Sequence, residues 1–146
     1  MIFALLALLV IALDQATKYY VDTHFYVGES VPVIQNIFHW TYVQNPGAAF
    51  GLLEGARFFF LAVACVVIIA AWYFRKDIEA LGWWGTYGAT LFVGGAIGNL
   101  IDRARQGLVI DFFDFRIWPV FNVADIAICV GVAMILYVIL REELRS

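Results

Sequence analysis

The stretch FFFLAVACVVIIAAWYF, Phe58 to Phe74, runs without a single charge, and Arg75 and Lys76 follow it at once. Crossing roughly 30 Å of hydrocarbon at about 1.5 Å per residue takes about 20 residues. The run is close to that length, and Trp72, Tyr73, Arg75 and Lys76 form the aromatic and basic border expected where a helix leaves a bilayer. Outward from it, three further stretches are of similar length and apolarity, approximately 2 to 21, 81 to 101 and 119 to 140. The 146 residues are 64% hydrophobic and 14% charged, with a mean hydropathy of +0.86, well outside the soluble globular range. The expected fold is therefore membrane all-α, with four transmembrane helices in one domain spanning residues 1–146.

Composition also excludes functions. A net charge of −3 and a pI near 5.2 leave no basic patch for nucleic acid. Cys65 and Cys129 each sit inside an apolar run, where a thiol behaves as a small hydrophobe. His24 and His39 lack metal-ligand spacing and no Cys or Glu cluster accompanies them, so no metal is expected. Ser30 and Ser146 are poorly placed for nucleophilic catalysis. The N-terminal run lacks a basic leader region and an Ala-x-Ala-like site, and reads as a retained membrane helix. Basic residues do not orient the chain: Arg75, Lys76, Arg141 and Arg145 on one side balance Arg57, Arg103, Arg105 and Arg116 on the other.

The connection from about 22 to 56 contains Val31 to Val43, rich in β-branched and aromatic residues, which predicts one or two short strands. Asn45-Pro46-Gly47 then predicts a turn. The apolar spans carry ionisable groups that need partners, cavities or interfaces. Asp14 and Lys18, four apart, share a helix face and form either a structural ion pair or a substrate contact. Gly94 and Gly98 make a small-x-x-x-small face for close helix approach. Asn99 with Asp102, and Asn122 with Asp125, repeat an Asn three residues before an Asp at one membrane side. Between them Asp111 and Asp114 are embedded in Val109, Ile110, Phe112, Phe113 and Phe115, surroundings that desolvate a carboxyl group. A carboxylate site is what remains, and spacing alone does not choose Asp111 over Asp102 or Asp114.

Five segments together resemble those of the lipoprotein signal peptidase (signal peptidase II) family, bacterial membrane aspartyl proteases, in that family's order. They are Asp14-Gln15-Ala16-Thr17-Lys18, Asn45-Pro46-Gly47-Ala48-Ala49-Phe50, Gly94 to Arg103, Val109-Ile110-Asp111-Phe112 and Phe121-Asn122-Val123-Ala124-Asp125. The resemblance implies that Asp111 and Asp125 are the catalytic pair. It places Asn45, Gly47, Asn99, Arg103 and Asn122 around the site, with Asp14 and Lys18 near it. Asp102, which closes a helix and is followed by Arg103, reads as a buried, Arg-stabilised anchor supporting the site, and Asp114 as a loop residue. The resemblance also implies a small sheet on the outer surface, built largely from the first connection.

By the same resemblance the substrate is a prolipoprotein whose cysteine carries diacylglycerol, cut on the N-terminal side of that cysteine in the cytoplasmic (inner) membrane. Both termini are expected in the cytoplasm, with the site near the outer face. Surrounding lipid is the other partner, a monomer is expected, and no cofactor is needed. Two departures from the family stand out, a short link between Asp111 and Asp125 and the absence of a polar N-terminal extension. The rival readings are a small transporter, in which Asp14 and Lys18 would be the critical charges, and a purely structural membrane scaffold.

Overall fold

The computed structural model describes residues 2–47 and 57–144. Along the chain come α1 (Ile2–His24), β1 (Ser30–Ile34), β2 (Phe38–Asn45), α2 (Arg57–Tyr73), α3 (Arg75–Ala80), α4 (Gly82–Gln106), β3 (Val109–Asp114) and α5 (Val123–Glu143). Ala48, Ala49 and Phe50 of the second motif, and Arg145, lie outside the described residues.

Helix α4 is the centre of the bundle, with α1, α2 and α5 packed around it. Its glycines make this possible, because they let backbones approach where side chains would collide. A Cβ on Gly94 would stand 3.2 Å from the Val10 side chain of α1, and one on Gly98 would stand 2.6 Å from Asp14 Oδ2. Toward α5, a Cβ on Gly88 would meet the Gly131 carbonyl oxygen at 2.8 Å, and one on Gly95 would run into the carbonyl oxygen of Ala124. The small-residue face expected of Gly94 and Gly98 is thus the α1 seam, and Gly88 and Gly95 form a second seam toward α5.

The distribution of polarity is inverted relative to a water-soluble bundle. Asp14, Lys18, Asn99, Asp102, Asp111 and Asn122 are buried, while Leu8 is 61% exposed, Val66 64% and Ile69 63%. An apolar exterior around a polar interior is stable only where the surrounding solvent is hydrocarbon. Helices α1 and α5 contain stretches long and apolar enough to cross a bilayer, Phe3–His24 and Val123–Arg141, whereas α2 is apolar but shorter. Helix α4 is long enough, at 25 residues, but its glycines, Asn99, Asp102 and Arg103 dilute its apolarity.

One end of the bundle carries an antiparallel sheet in the order β1-β2-β3. The expected strands near 31 to 43 are β1 and β2, joined through Asn36 in the left-handed region (φ 63°). Pro32 lies on the edge strand, where a missing N–H breaks no inner ladder. The sheet closes on α1 through an apolar cluster of Val21, Tyr42, Ile110 and Phe112.

Several boundaries differ from expectation, for physical reasons. The Val-Ile-Asp-Phe segment is a third strand rather than a loop, so the sheet draws on two connections; Asp114 is its last residue and is buried. The last helix starts at Val123, not near 119, because Phe121 pairs with Phe113: its N–H donates to the Phe113 carbonyl at 3.1 Å and its carbonyl accepts from Phe113 at 2.8 Å. A separate short helix, α3, fills the turn before α4. The expected span 81 to 101 becomes Gly82–Gln106, stopped by Gly107 in the left-handed conformation (φ 82°), whose N–H caps the Arg103 carbonyl.

Candidate active site

Where α5 begins, the local sequence dictates the position of one carboxylate. Asn122 precedes the first helical residue, and its Oδ1 accepts the Asp125 N–H at 2.9 Å, while the Asn122 N–H donates to Asp125 Oδ2 at 3.2 Å. This reciprocal cap satisfies two helix-end donors and holds Asp125 in one rotamer. The other oxygen of Asp125 accepts Asn99 Nδ2 from α4 at 2.8 Å.

Asp111 is presented by β3 in register with Val43 of β2. Two amides hold its carboxylate: Asn45 Nδ2, from the end of β2, donates to Oδ2 at 2.9 Å, and Asn122 Nδ2 donates to Oδ1 at 2.7 Å. Asn122 therefore touches both carboxyl groups, through its side chain to Asp111 and its backbone to Asp125. Burial pushes the Asp111 carboxyl up to about 7, and the charge of Asp125 acts in the same direction; the Asn45 and Asn122 hydrogen bonds and the charge of Lys18 pull it partly back. A carboxyl near 7 beside a second one is suited to holding a proton at neutral pH and giving it up on demand.

Behind this pair lies an ion triplet. Lys18 Nζ is 2.8 Å from Asp14 Oδ2, 2.8 Å from Asp102 Oδ2, and donates to Asn99 Oδ1 at 2.9 Å. Asp14 and Lys18 are 0% and 2% exposed. Asp102 is buried, and its ion-pair partner is Lys18 rather than Arg103. Arg103 instead donates to the Gly47 carbonyl at 3.2 Å and lies over the Phe60 ring at 4.7 Å. The motif residue Gln15, not singled out as a site residue, also belongs here: its Nε2 reaches Asp102 Oδ1 at 2.8 Å, Asp14 Oδ2 at 3.2 Å and the Gly98 carbonyl at 3.2 Å.

Asp114 stands apart from this network. Burial alone would raise its pKa, but hydrogen bonds from Thr41 and the Arg116 backbone, with the Arg116 guanidinium 2.9 Å away, outweigh that and hold it below the ordinary carboxylate range. It anchors the turn after β3.

A groove of about 660 Å³ opens over the carboxyl pair. Asn45, Gly47, Asn99, Arg103, Asp111 and Asp125 line its polar end, and Trp118, Phe121, Ile126 and Cys129 belong to its apolar remainder. It is continuous with the exposed apolar side of α5 at Ile126 and Val130. Among the described residues no cluster of His, Cys, Asp and Glu has the geometry to hold a metal.

Residues 6–141 match the family described as signal peptidase (SPase) II. The lipoprotein signal peptidase of Moorella thermoacetica is 50% identical over 142 residues, covering 94% of this chain and 92% of its own length. That of Halothermothrix orenii is 44% identical over 141 residues, covering 95% of each chain. A solved structure described as a bacterial membrane enzyme, determined by the in meso method at 2.3 Å resolution, superposes with a TM-score of 0.92 at 34% identity, covering 97% of this chain and 88% of its own. With family match, relatives and fold all running nearly end to end, the chain belongs to the signal peptidase II family.

Proposed function

We propose that this chain is an aspartyl endopeptidase of the bacterial cytoplasmic membrane that removes signal peptides from diacylglyceryl-modified prolipoproteins, with Asp111 and Asp125 as the catalytic pair. The observation that carries the assignment is the arrangement of Asn122, which bonds to both carboxyls under one groove. Asp102 and Asp114 are each committed to other partners. Helices α1, α2, α4 and α5 cross the bilayer, both termini are cytoplasmic, and the sheet lies over the outer surface with the groove just beneath it.

Two carboxyls in one site cannot both ionise easily, so the pair carries one shared proton across a range of pH. Asp111, the more desolvated member, keeps that proton. Asp125 takes a proton from the attacking water, while Asp111 donates to the carbonyl oxygen as the tetrahedral centre forms. On collapse the proton acquired by Asp125 passes to the leaving amine, the C–N bond breaks, and a hydroxyl of the tetrahedral centre returns its proton to Asp111 as the carbonyl re-forms. Arg103 and the amides of Asn45 and Asn99 line the groove where they can satisfy substrate carbonyls. No covalent intermediate or metal enters the cycle.

The purified protein is expected to cut a diacylglyceryl-modified precursor peptide immediately before the lipidated cysteine and to leave the unlipidated twin intact. Product masses decide this; absence of cleavage of the lipidated peptide would sink the assignment. The active form requires the Asp111 proton, which is present below its pKa and lost above it. Activity is therefore expected to decline as pH rises through about 7, and a basic limb set far from that value would argue against Asp111 as the acid. Asn45→Ala removes a hydrogen bond that favours the ionised form of Asp111, so its basic limb is expected to move to higher pH, with cleavage reduced by roughly tenfold.

A further inference from the structure

Lys18 touches neither catalytic carboxyl, yet each of its three partners reaches the immediate surroundings of one. Asp14, from α1, turns its second oxygen to the backbone N–H of Ala124 at 2.9 Å, the residue just before Asp125. Asp102, from α4, accepts the backbone N–H of Ile110 at 3.4 Å, the residue just before Asp111. Asn99 accepts from Lys18 on its oxygen and so presents its Nδ2 to Asp125 at 2.8 Å. An ammonium has three protons, and here all three are engaged, by Asp14, Asp102 and Asn99.

Resting on Asp111 and Asp125 as the dyad, we propose that Lys18 is a positioning residue that sets the relative placement of the two catalytic carboxyls. Strand β3 and helix α5 are consecutive elements, joined by an exposed turn through Arg116 and Ile117 and tied by the Phe113–Phe121 pairing, but each also leans on a different helix. What holds the peptide before each catalytic Asp is a carboxylate on another helix, and Lys18, with the neutral Gln15 amide beside it, is the cation bound to both carboxylates, at 2.8 Å each. It also determines which way the Asn99 amide faces. With the ammonium gone, the Asn99 oxygen keeps only Asn122 Nδ2, at 3.2 Å, and a flipped amide would aim its oxygen at Asp125, carboxylate against carbonyl. The Lys18 charge in addition favours the ionised form of Asp111, so the hub sets both geometry and charge.

The test compares Lys18→Met and the charge-balanced Asp14→Asn/Lys18→Met with wild type and with Asp111→Asn, in detergent. Cleavage of a diacylglyceryl precursor peptide is measured per folded molecule over a range of pH. The double variant retains an oxygen for the Ala124 N–H and keeps the cluster's net charge. Both Lys18 variants are expected to lose about 100-fold in kcat, the size of effect that misplacement by about 1 Å produces. Their KM is expected to stay within about threefold, since Lys18 lines none of the groove, and the basic limb moves upward. A purely structural lysine would lower the folded fraction and leave kcat per folded molecule and the pH limb unchanged; that result overturns the proposal, as does failure of both variants to fold. An active Asp111→Asn would instead overturn the dyad itself.

Discussion

Asp111→Asn and Asp125→Asn are each expected to reduce cleavage of a diacylglyceryl precursor peptide by about 10³-fold or more, because each removes one half of a proton-transfer pair. Asn keeps the shape of Asp but not its chemistry. At Asp111 both oxygens accept amide N–H groups, from Asn45 and Asn122; at Asp125 both accept, from Asn99 and the Asn122 backbone. An Asn at either position must therefore turn an NH₂ toward one donor, which costs about 1–3 kcal/mol for a buried polar group left unsatisfied. Thermal unfolding of each variant in detergent separates that cost from the catalytic loss. A variant that folds yet retains a tenth of wild-type cleavage would mean another acid supplies the chemistry. The alternatives would be Asp102, held by Lys18 and Gln15, and Asp114, held by Thr41 and Arg116.

Gly95→Ala is the second change with a large expected effect, although it adds one methyl group and no charge. Its Cβ would run into the Ala124 carbonyl oxygen, with the Ile128 side chain 2.9 Å away. Ala124 immediately precedes Asp125, and the Ala124 N–H is the one held by Asp14. Backbone cannot retract as a side chain can, so α5 must move at its first turn. Overpacking of this kind destabilises by about 1–3 kcal/mol, and a displacement of about 1 Å at Asp125 costs about 100-fold in rate. The expected outcome is a lowered unfolding temperature together with a loss of kcat well beyond the lost folded fraction. The control is Gly28→Ala, at a turn where a Cβ meets nothing within 4 Å although its φ of 86° is unfavourable; there, stability is expected to fall without a matching loss of kcat. Equal kcat per folded molecule in the two variants would remove the close α4–α5 approach from the account of the site.

Much of the local structure was legible because it follows from local chemistry. The spacing of Asn122 three residues before Asp125 was visible, and the structure uses it as a helix cap, although the expected span from about 119 placed both residues inside the helix. Asp14 and Lys18, four apart on a helix, had to meet. The β-branched and aromatic residues of 31 to 43 marked strands. The third strand was hidden for an equally local reason: Val-Ile-Asp-Phe-Phe-Asp reads as an apolar connection, and only a partner supplies its ladder. That partner is β2, more than sixty residues earlier, paired as Val43 with Asp111 and Asn45 with Val109.

Alone, the sequence determined that the chain needs a hydrocarbon solvent, that its charges gather in a few polar segments, and that those segments follow the order of one family. The first two are properties of composition and short-range periodicity, and the third is a resemblance carried by five motifs. Which partners Asp102 and Asp111 take was decided by tertiary structure. Adjacent numbering suggested that Asp102 would answer Arg103, but consecutive helical residues point about 100° apart. The close glycine contacts of α4 bring α1 near enough for Lys18 to take Asp102 instead. The separation of Asp111 and Asp125 into a pair, away from Asp102 and Asp114, exists only once β3 and the start of α5 are held side by side, because side-chain chemistry is identical for all four and only burial and partners tell them apart.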